Sequence, residues 1–245
     1  MLEGLKAAAT GMTAQQRRID SLSNDIANVN TTGYKRDSVA FSDLVSTAPG
    51  LGGAQKIAVG AGVVATAAGR NTVQGALHET GQPLDVALAG DGYLQVKLPD
   101  GSVGLTRDGS LRADASGRLT TSSGALLQPP ITLPRGASAK DLTIDPDGTL
   151  VAQGKPIGRM VLVNVAAPSK LDDAGAGVYK TNAASGPPRL AGADTKVIQG
   201  ALEASNVDLA DAMVDLIDSQ RSFQMASQAV RTQDQMLSIA NGLKA

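Results

Sequence analysis

Residues 5–29 read LKAAATGMTAQQRRIDSLSNDIANV, and their spacing decides the predicted fold. Apolar and small residues recur at alternating steps of three and four, which is the a and d pattern of a coiled coil. The seam residues are Leu5, Ala8, Met12, Gln15, Ile19, Leu22, Ile26 and Val29. We predict an amphipathic helix that stops near Asn30, because Thr31, Thr32 and Gly33 follow as turn formers.

The end of the chain repeats this pattern. Its seam residues are Ala212, Leu216, Ser219, Phe223, Ala226, Val230, Gln233, Leu237 and Ala240. Ser205 followed by Asp208 predicts a capped helix start, and no proline interrupts the chain from there to Ala245. We therefore predict one long C-terminal helix, in which polar seam residues favour close packing against several neighbours over a sealed two-stranded zipper.

The middle of the chain has a different hydrophobic pattern and contains many turn-forming residues. Residues 84–165 predict short strands separated by turns, because alternating apolar residues are punctuated by Asp-Gly and Ser-Gly pairs. These pairs are Asp91-Gly92, Asp100-Gly101, Asp108-Gly109, Ser116-Gly117 and Asp147-Gly148. Residues 46–70 are rich in Gly, Ala, Val and Ser and are interpreted as an extended linker.

The predicted fold class is therefore α+β. Long N- and C-terminal helices are expected to form a coiled-coil core domain, with a central all-β domain of short strands and hairpins. The predicted boundaries are 1–33 with 203–245 for the helical core domain, 34–82 for an extended linker, 83–182 for the β-rich outer domain and 183–202 for a return linker.

Composition excludes several classes of protein. The 245 residues carry 22 basic and 23 acidic side chains, so there is no basic excess with which to bind nucleic acid. The absence of cysteine and the presence of one histidine remove thiolate chemistry and multi-histidine metal sites. No apolar run is long enough to span a membrane. We expect no catalytic residues, no cofactor, no metal and no small-molecule substrate.

The remaining polar candidates have ordinary structural interpretations. His78 is expected at a surface or strand edge, because no nucleophile or pocket accompanies it. Asp145 to Gly148 superficially resembles the opening of a calcium loop, but position 156, where that loop needs glutamate, is Pro156. Lys35 and Arg36 are interpreted as charges that keep the end of the first helix soluble.

Three separated regions resemble the signature motifs of the flagellar rod and hook protein family. The first is SNDIANVNTTGYK at residues 23–35. The second comprises PLDVAL at 83–88, DGY at 91–93 and TRDGS at 106–110. The third is GALEASNVD at 200–208, continued by Met213-Val214, QRSF at 220–223 and DQML at 234–237. The resemblance covers essentially the whole chain, in order.

This resemblance implies a structural axial subunit of the bacterial flagellar basal-body rod, and no enzyme. Such subunits polymerise through their terminal helices into a helical tube that transmits torque from motor to hook. The subunit-contact residues that we expect are Leu5, Met12, Ile19, Leu22, Ile26, Val29, Asn28, Asn30, Gly33, Tyr34, Leu216, Phe223, Val230 and Leu237.

The resemblance also implies partners and a location. The partners are other copies of the chain, neighbouring rod and hook proteins and the flagellar export apparatus, without membrane insertion. The location is the basal-body rod in the cell envelope, reached by type III export without a cleaved signal peptide. A distal rod position is favoured. The alternatives are a proximal-rod subunit and a coiled-coil adaptor that binds a single partner.

Overall fold

The computed structural model describes residues 2–49, 56–134, 142–192 and 194–242. In this part of the chain, two α-helices flank a series of strands. The elements are α1 (Leu2–Ala27), β1 (Asp37–Pro49), β2 (Lys56–Arg70), β3 (Leu77–Glu79), β4 (Val86–Ala89), β5 (Tyr93–Lys97), β6 (Val103–Thr106), β7 (Leu111–Ala113), β8 (Leu119–Thr121), β9 (Leu126–Leu127), β10 (Leu142–Ile144), β11 (Thr149–Ala152), β12 (Lys155–Arg159), β13 (Leu162–Asn164), a short 3-10 helix (Pro168–Lys170), β14 (Asp172–Gly175), β15 (Val178–Lys180), β16 (Arg189–Leu190), β17 (Lys196–Gln199), β18 (Ala201–Glu203) and α2 (Leu209–Gly242).

The chain divides into two compact units. The first, the helical unit, comprises Met1–Ala27, Asp37–Ala68 and Asp208–Ala245; the second, the β unit, comprises Asn28–Arg36 and Gly69–Val207. Both units are therefore built from segments that are distant in sequence.

The helical unit contains an antiparallel helix pair and a two-stranded sheet. Arg18 Nη2 lies 3.1 Å from Asp215 Oδ1, and a Cβ added at Gly4 would lie 3.3 Å from Gln233 Nε2. The start of α1 therefore lies near the later part of α2, and the later part of α1 lies near the start of α2. The two helices are thus antiparallel. Strand β1 pairs with β2, and α1 also packs against β1. Neither described helix is long and apolar enough to cross a membrane.

The β unit is organised around antiparallel pairs. Its largest sheet runs β14-β15-β6-β5-β9-β8-β7, with β13 paired to both β5 and β16. Strands β10, β11 and β12 form a three-stranded meander, while β4 pairs with β17 and β3 with β18. Leu94 of β5 lies opposite Thr106 on one side and Leu162 on the other. The last two pairings bring residues 77–89 beside residues 196–203.

Two apolar clusters explain why the β unit is compact. Its main cluster consists of Val86, Leu88, Leu94, Val96, Leu111, Leu119, Ala125, Leu127, Ile131, Ile144, Leu150, Met160, Val178 and Val197. A second cluster surrounds Tyr93 and Tyr179, whose ring centroids lie 6.2 Å apart in an edge-to-face arrangement. Every residue of both clusters belongs to the β unit, so this unit buries its own core.

The predicted coiled-coil core domain is wrong. The described residues contain one helix near each end and a large β-rich region between them. A coiled-coil seam needs large apolar side chains at a and d, but this seam carries Gln15, Ser219 and Gln233 together with several alanines. The helix pair also shares its unit with β1 and β2, so α1 is covered partly by a strand.

The turn residues bear out the hairpin prediction in part. Asp100-Gly101 joins β5 to β6, Ser116-Gly117 joins β7 to β8, and Asp147-Gly148 joins β10 to β11, and each of these strand pairs is antiparallel. Asp91-Gly92 and Asp108-Gly109 instead join strands that pair with other strands.

The Asp145 to Gly148 stretch, which resembles the opening of a calcium loop, is the turn between β10 and β11. A backbone hydrogen bond from Thr149 holds the pKa of Asp147 below its ordinary value. The loop from Asp145 to Gly148 is thus a hairpin turn.

The start of α2 also differs from the prediction. Asp208 rather than Ser205 caps the helix, because Asp208 Oδ1 accepts hydrogen bonds from Ala210 N (2.8 Å) and Asp211 N (3.2 Å). The hydroxyl of Ser205 accepts a bond from Val207 N instead. An aspartate at this position satisfies free amides and places negative charge at the positive end of the helix dipole.

Candidate functional site

The predicted seam residues lie on the less exposed sides of the two helices. Leu22 is buried, whereas Leu5, Met12, Ile19 and Ile26 of α1 are half-buried. On α2, the half-buried residues are Leu216, Phe223 and Val230; the side chain of Leu237 lies outside the described residues. Because these apolar side chains are only partly covered, their role in contacts with other subunits stays a prediction.

The opposite side of α2 is exposed and carries apolar residues together with Arg221, Gln224 and Gln228. Val214 is 60% exposed and Ile217 is 49% exposed, and Met213 and Met225 are exposed as well. On the other side of α2, which carries the seam residues, the side chains are small or apolar and Ala212 is fully buried. At 100° per residue, these two sides point in opposite directions. An amphipathic surface helix has one apolar side, so α2 departs from the ordinary pattern.

The turn after α1 contains the five other predicted contact residues, of which Val29 is half-buried. Asn28 and Tyr34 are half-buried, Asn30 is exposed and Gly33 is buried. Asn28 Oδ1 accepts a hydrogen bond from the Thr31 hydroxyl at 3.1 Å. Tyr34 contributes its carbonyl, which accepts a bond from Asn206 N at 3.3 Å. The structure therefore places this turn inside the β unit.

A charge cluster of Lys35, Arg107 and Glu203 lies directly behind this turn. Lys35 Nζ donates to Glu203 Oε1 at 2.5 Å, and Arg107 Nη1 donates to Glu203 Oε2 at 2.9 Å. All three side chains are almost completely buried. Burial lowers the pKa of the Lys35 ammonium, and the Glu203 carboxylate opposes that shift. One carboxylate therefore neutralises two buried cations in part.

Backbone groups complete the surroundings of the cluster. Glu203 Oε1 also accepts from Gly75 N at 2.9 Å, and Lys35 Nζ donates to the Val73 carbonyl at 2.8 Å. Arg107 Nη2 donates to the Gly90 carbonyl at 3.0 Å. These bonds replace much of the hydration that the charges lose on burial. The cluster thereby ties five separate parts of the β unit together.

Further hydrogen bonds of Thr32, Arg36 and Asn206 lie beside the cluster. The Thr32 hydroxyl donates to Asp108 Oδ1 at 2.8 Å, and Arg36 N donates to Asn206 Oδ1 at 2.8 Å. The Asn206 amide nitrogen donates in turn to the carbonyls of Asn71 (2.9 Å) and Val73 (3.0 Å). The segment 32–36 is therefore held by side chains from residues 106–108 and from residues 203–206.

The three stretches quoted for the family resemblance thus meet at one place. Lys35 ends the first stretch, Arg107 lies in the second and Glu203 lies in the third. The interpretation of Lys35 as a solubilising charge is wrong, because its side chain is 2% exposed. Sequence reasoning also missed Arg107 and Glu203, since charged residues are rarely buried, and it missed the contacts of the Asn206 side chain. Their shared membership of the signature motifs was the available signal.

Gly33 provides a direct test of how tightly this turn fits. Its φ is +67°, and a Cβ there would lie 2.6 Å from the Arg107 carbonyl carbon. We expect Gly33→Ala to lower the free energy of unfolding by about 3 kcal/mol, combining about 1–2 kcal/mol of left-handed strain with about 1–3 kcal/mol of overpacking. Urea unfolding measures this loss.

The matched control for that variant is Gly154→Ala. Gly154 has a similar φ of +76°, but no atom lies within 4 Å of the position of an added Cβ. This control should therefore show the left-handed strain alone. Equal losses in the two variants would contradict close packing of the turn against Arg107.

Two further polar residues are His78, which was a candidate from the sequence, and Asp25. His78 lies exposed in β3, opposite Leu202 of β18, as expected of a strand-edge histidine. Asp25 is fully buried near the end of α1, and its Oδ1 accepts a bond from Asp37 N at 3.3 Å. Across the described parts of the chain, no group of three His, Cys, Asp or Glu side chains could hold a metal ion.

Family comparisons match three parts of the chain. The family described as flagella basal body rod protein matches residues 5–35, and the flagellar hook protein FlgE/F/G D1 domain matches residues 87–152. The flagellar basal body rod FlgEFG protein C-terminal family matches residues 198–243. These matches contain Lys35, Arg107 and Glu203, respectively.

Curated relatives are similar over nearly the whole length. The chain is 35% identical to the flagellar basal-body rod protein FlgG of Borreliella burgdorferi, over 100% of this chain and 99% of the relative. It is 35% identical to the protein of the same name from Caulobacter vibrioides, over 99% and 100%. It is 33% identical to the flagellar hook-basal body complex protein FlhP of Bacillus subtilis, over 100% of both.

Proposed function

Because the chain belongs to the family of flagellar basal-body rod proteins, we propose that it polymerises as an axial subunit of the rod. This family is structural and not enzymatic, which confirms the prediction that the chain has no catalytic role. The similarity to whole rod proteins, from one end of the chain to the other, is the observation that carries the proposal.

The helical unit supports polymerisation through the terminal helices. The seam side chains of α1 and α2 are mostly half-buried, and α2 exposes further apolar side chains. Exposed apolar side chains of this kind are unfavourable in water and favour contact with other protein surfaces. We assign the subunit contacts to these helices and to the turn from Asn28 to Tyr34.

The proposed mechanism is mechanical. One subunit contributes several different surfaces, so contacts with neighbouring copies are heterologous and repeat along an open helical assembly. Torque then passes from motor to hook through many interfaces at once, each carrying a small part of the load. Neighbouring rod and hook proteins would meet the first and last copies through the same kinds of surface.

A distal position in the rod is the proposed subtype. The stretches from Ala40 to Leu44 and from Asp234 to Leu237 resemble distal-rod members, whereas Pro156 to Arg159 and the short chain resemble proximal-rod members. The proximal position is therefore the second candidate. In either position, the proposal includes type III export without a cleaved signal peptide and a final location in the periplasmic part of the basal body.

Imaging of a tagged chain decides between these positions. The turn at Gln153 and Gly154, between β11 and β12, is exposed and suits insertion of a short epitope. We expect antibody-labelled basal bodies to carry the label along the part of the rod nearest the hook, in cells that still swim. Label confined to the part of the rod nearest the motor would contradict the distal assignment.

A further inference from the structure

An apolar groove opens between α1 and the β1–β2 sheet inside the helical unit. Ala9 and Thr13 of α1, Leu44 of β1 and Val64 of β2 line it, and Arg17 lies along it. Its volume is about 260 Å³. That volume exceeds the roughly 150 Å³ of a cavity that holds benzene but lies below the roughly 300 Å³ at which small-molecule sites begin. The groove is thus of a size to accept protein side chains.

Two hydrogen bonds between side chains of α1 and the backbone of β2 link the walls of this groove. Arg17 Nη1 donates to the Ala65 carbonyl at 2.7 Å, and the Thr10 hydroxyl accepts a bond from Val63 N at 3.2 Å. A Cβ at Gly62 would overlap the Thr10 hydroxyl, so this glycine permits the close approach of β2 to α1. Two tethers therefore fix the distance between the groove walls.

The exposed side of α2 presents side chains that suit this groove. We define the α2 stripe as Met213, Val214, Ile217 and Met225, which are large, apolar and exposed. The stripe lies opposite the side of α2 that carries the buried Ala212 and Ser219. Since α2 already packs against α1 of its own chain through its less exposed side, its stripe points away from its own groove.

Charges on the two surfaces are complementary. Within the part of the chain that the structure describes, Arg17 has no carboxylate partner. Asp211 and Asp218 lie three and four residues from Val214, and their carboxylates likewise have no ion-pair partner among the described residues. Arg221 is exposed between Ile217 and Met225, so these three charged residues give this side of α2 a net charge of −1. An arginine on the groove and aspartates beside the stripe favour one orientation of approach.

We propose that the α2 stripe of one copy inserts into the α1–β2 groove of a neighbouring copy, and this inference rests on the proposed function. The contact joins two different surfaces of the same chain. Each copy therefore offers a free stripe and a free groove to the next, which gives an open assembly. Apolar insertion supplies the attraction, and the pairing of Arg17 with an aspartate sets the register.

Cross-linking between introduced cysteines tests the contact directly. The chain has no cysteine of its own, so Val64→Cys with Ile217→Cys places the only thiols on the groove and the stripe. We expect a short thiol-specific cross-linker to produce dimers and longer ladders of this chain in purified basal bodies. The control is Val103→Cys with Ile217→Cys, because Val103 is an exposed residue of β6 and should give no ladder.

The outcomes separate this inference from the proposed function. If the cysteine chain is present in basal bodies at the parental amount without a ladder, the groove contact is wrong and the rod assignment stands. Cross-linking of Val64→Cys to a protein of another mass would show that the groove is not occupied by a second copy of this chain. That result would also overturn the inference. Absence of the parental chain itself from basal bodies would instead contradict the proposed function.

A variant that fills the groove provides a second test without thiols. Thr13 is exposed on the groove wall, so Thr13→Phe should fill the space without disturbing a buried core. We expect the amount incorporated into basal bodies to fall about tenfold, and Thr13→Ser to leave it unchanged. Parental incorporation of Thr13→Phe, with circular dichroism equal to that of the parent, would overturn the inference.

Discussion

A Glu203→Gln chain is expected to lose about 3–5 kcal/mol of its free energy of unfolding, because this substitution removes the only carboxylate of the charge cluster. Lys35 and Arg107 would remain buried as two cations. The glutamine amide could accept from one of them, but its NH₂ group would face the other donor. Urea unfolding followed by circular dichroism measures the loss.

The matched control is Glu79→Gln, an exposed glutamate in β3 of the same unit. Its substitution removes the same charge without leaving a buried group unpaired, so we expect a change within about 0.5 kcal/mol. A Glu203→Gln chain with the parental urea midpoint would show that the buried cluster contributes little to the fold.

A chain that ends at Val207 is expected to fold its β unit and to lose its function completely. Both apolar clusters of the β unit lie before Val207, and so does the charge cluster. The helical unit, in contrast, loses α2 and the partner of the α1 seam. Circular dichroism should therefore keep a strong β signal, while cells that depend on this chain should not swim.

Full motility of such cells would contradict the assignment of subunit contacts to the helical unit. An immunoblot of whole cells is the control, because equal amounts of the shortened and parental chains exclude degradation as the cause. Loss of the β signal in the purified chain would show instead that the β unit depends on α2.

The two helices were predictable because their periodic pattern is local. α1 ends at Ala27, close to the predicted stop near Asn30, and α2 begins at Leu209, close to the predicted start. Asp208 is the cap because its carboxylate reaches the first free amides directly. How the two helices pack could not be predicted in the same way, because it depends on residues far away in sequence. Strand β1 also packs against α1, and the helix pattern gives no sign of it.

The strands were predictable where a turn joins direct neighbours. Asp100-Gly101 and Ser116-Gly117 close hairpins, but Asp108-Gly109 does not, because β6 and β7 pair with other strands of the sheet. Strands β1 and β2 lie entirely within residues 34–82, which were predicted as an extended linker. The glycines and alanines of β2 weaken the alternation that marks a strand.

The charge cluster could not be predicted from the residues alone. Lys35, Arg107 and Glu203 are far apart in sequence, and an isolated charged residue is ordinarily solvated. Only the fold brings them together, through the pairing of β3 with β18 and the passage of residues 28–36 through the β unit. The resemblance marked all three motifs as important without indicating that they touch.

The most direct test of the central claim is the amount of the chain ending at Val207 in purified basal bodies. We expect quantitative immunoblotting to find the parental chain in the rod and essentially none of the shortened chain, at equal amounts in whole cells. Recovery of the shortened chain in basal bodies at the parental level would contradict assembly of the rod through the terminal helices.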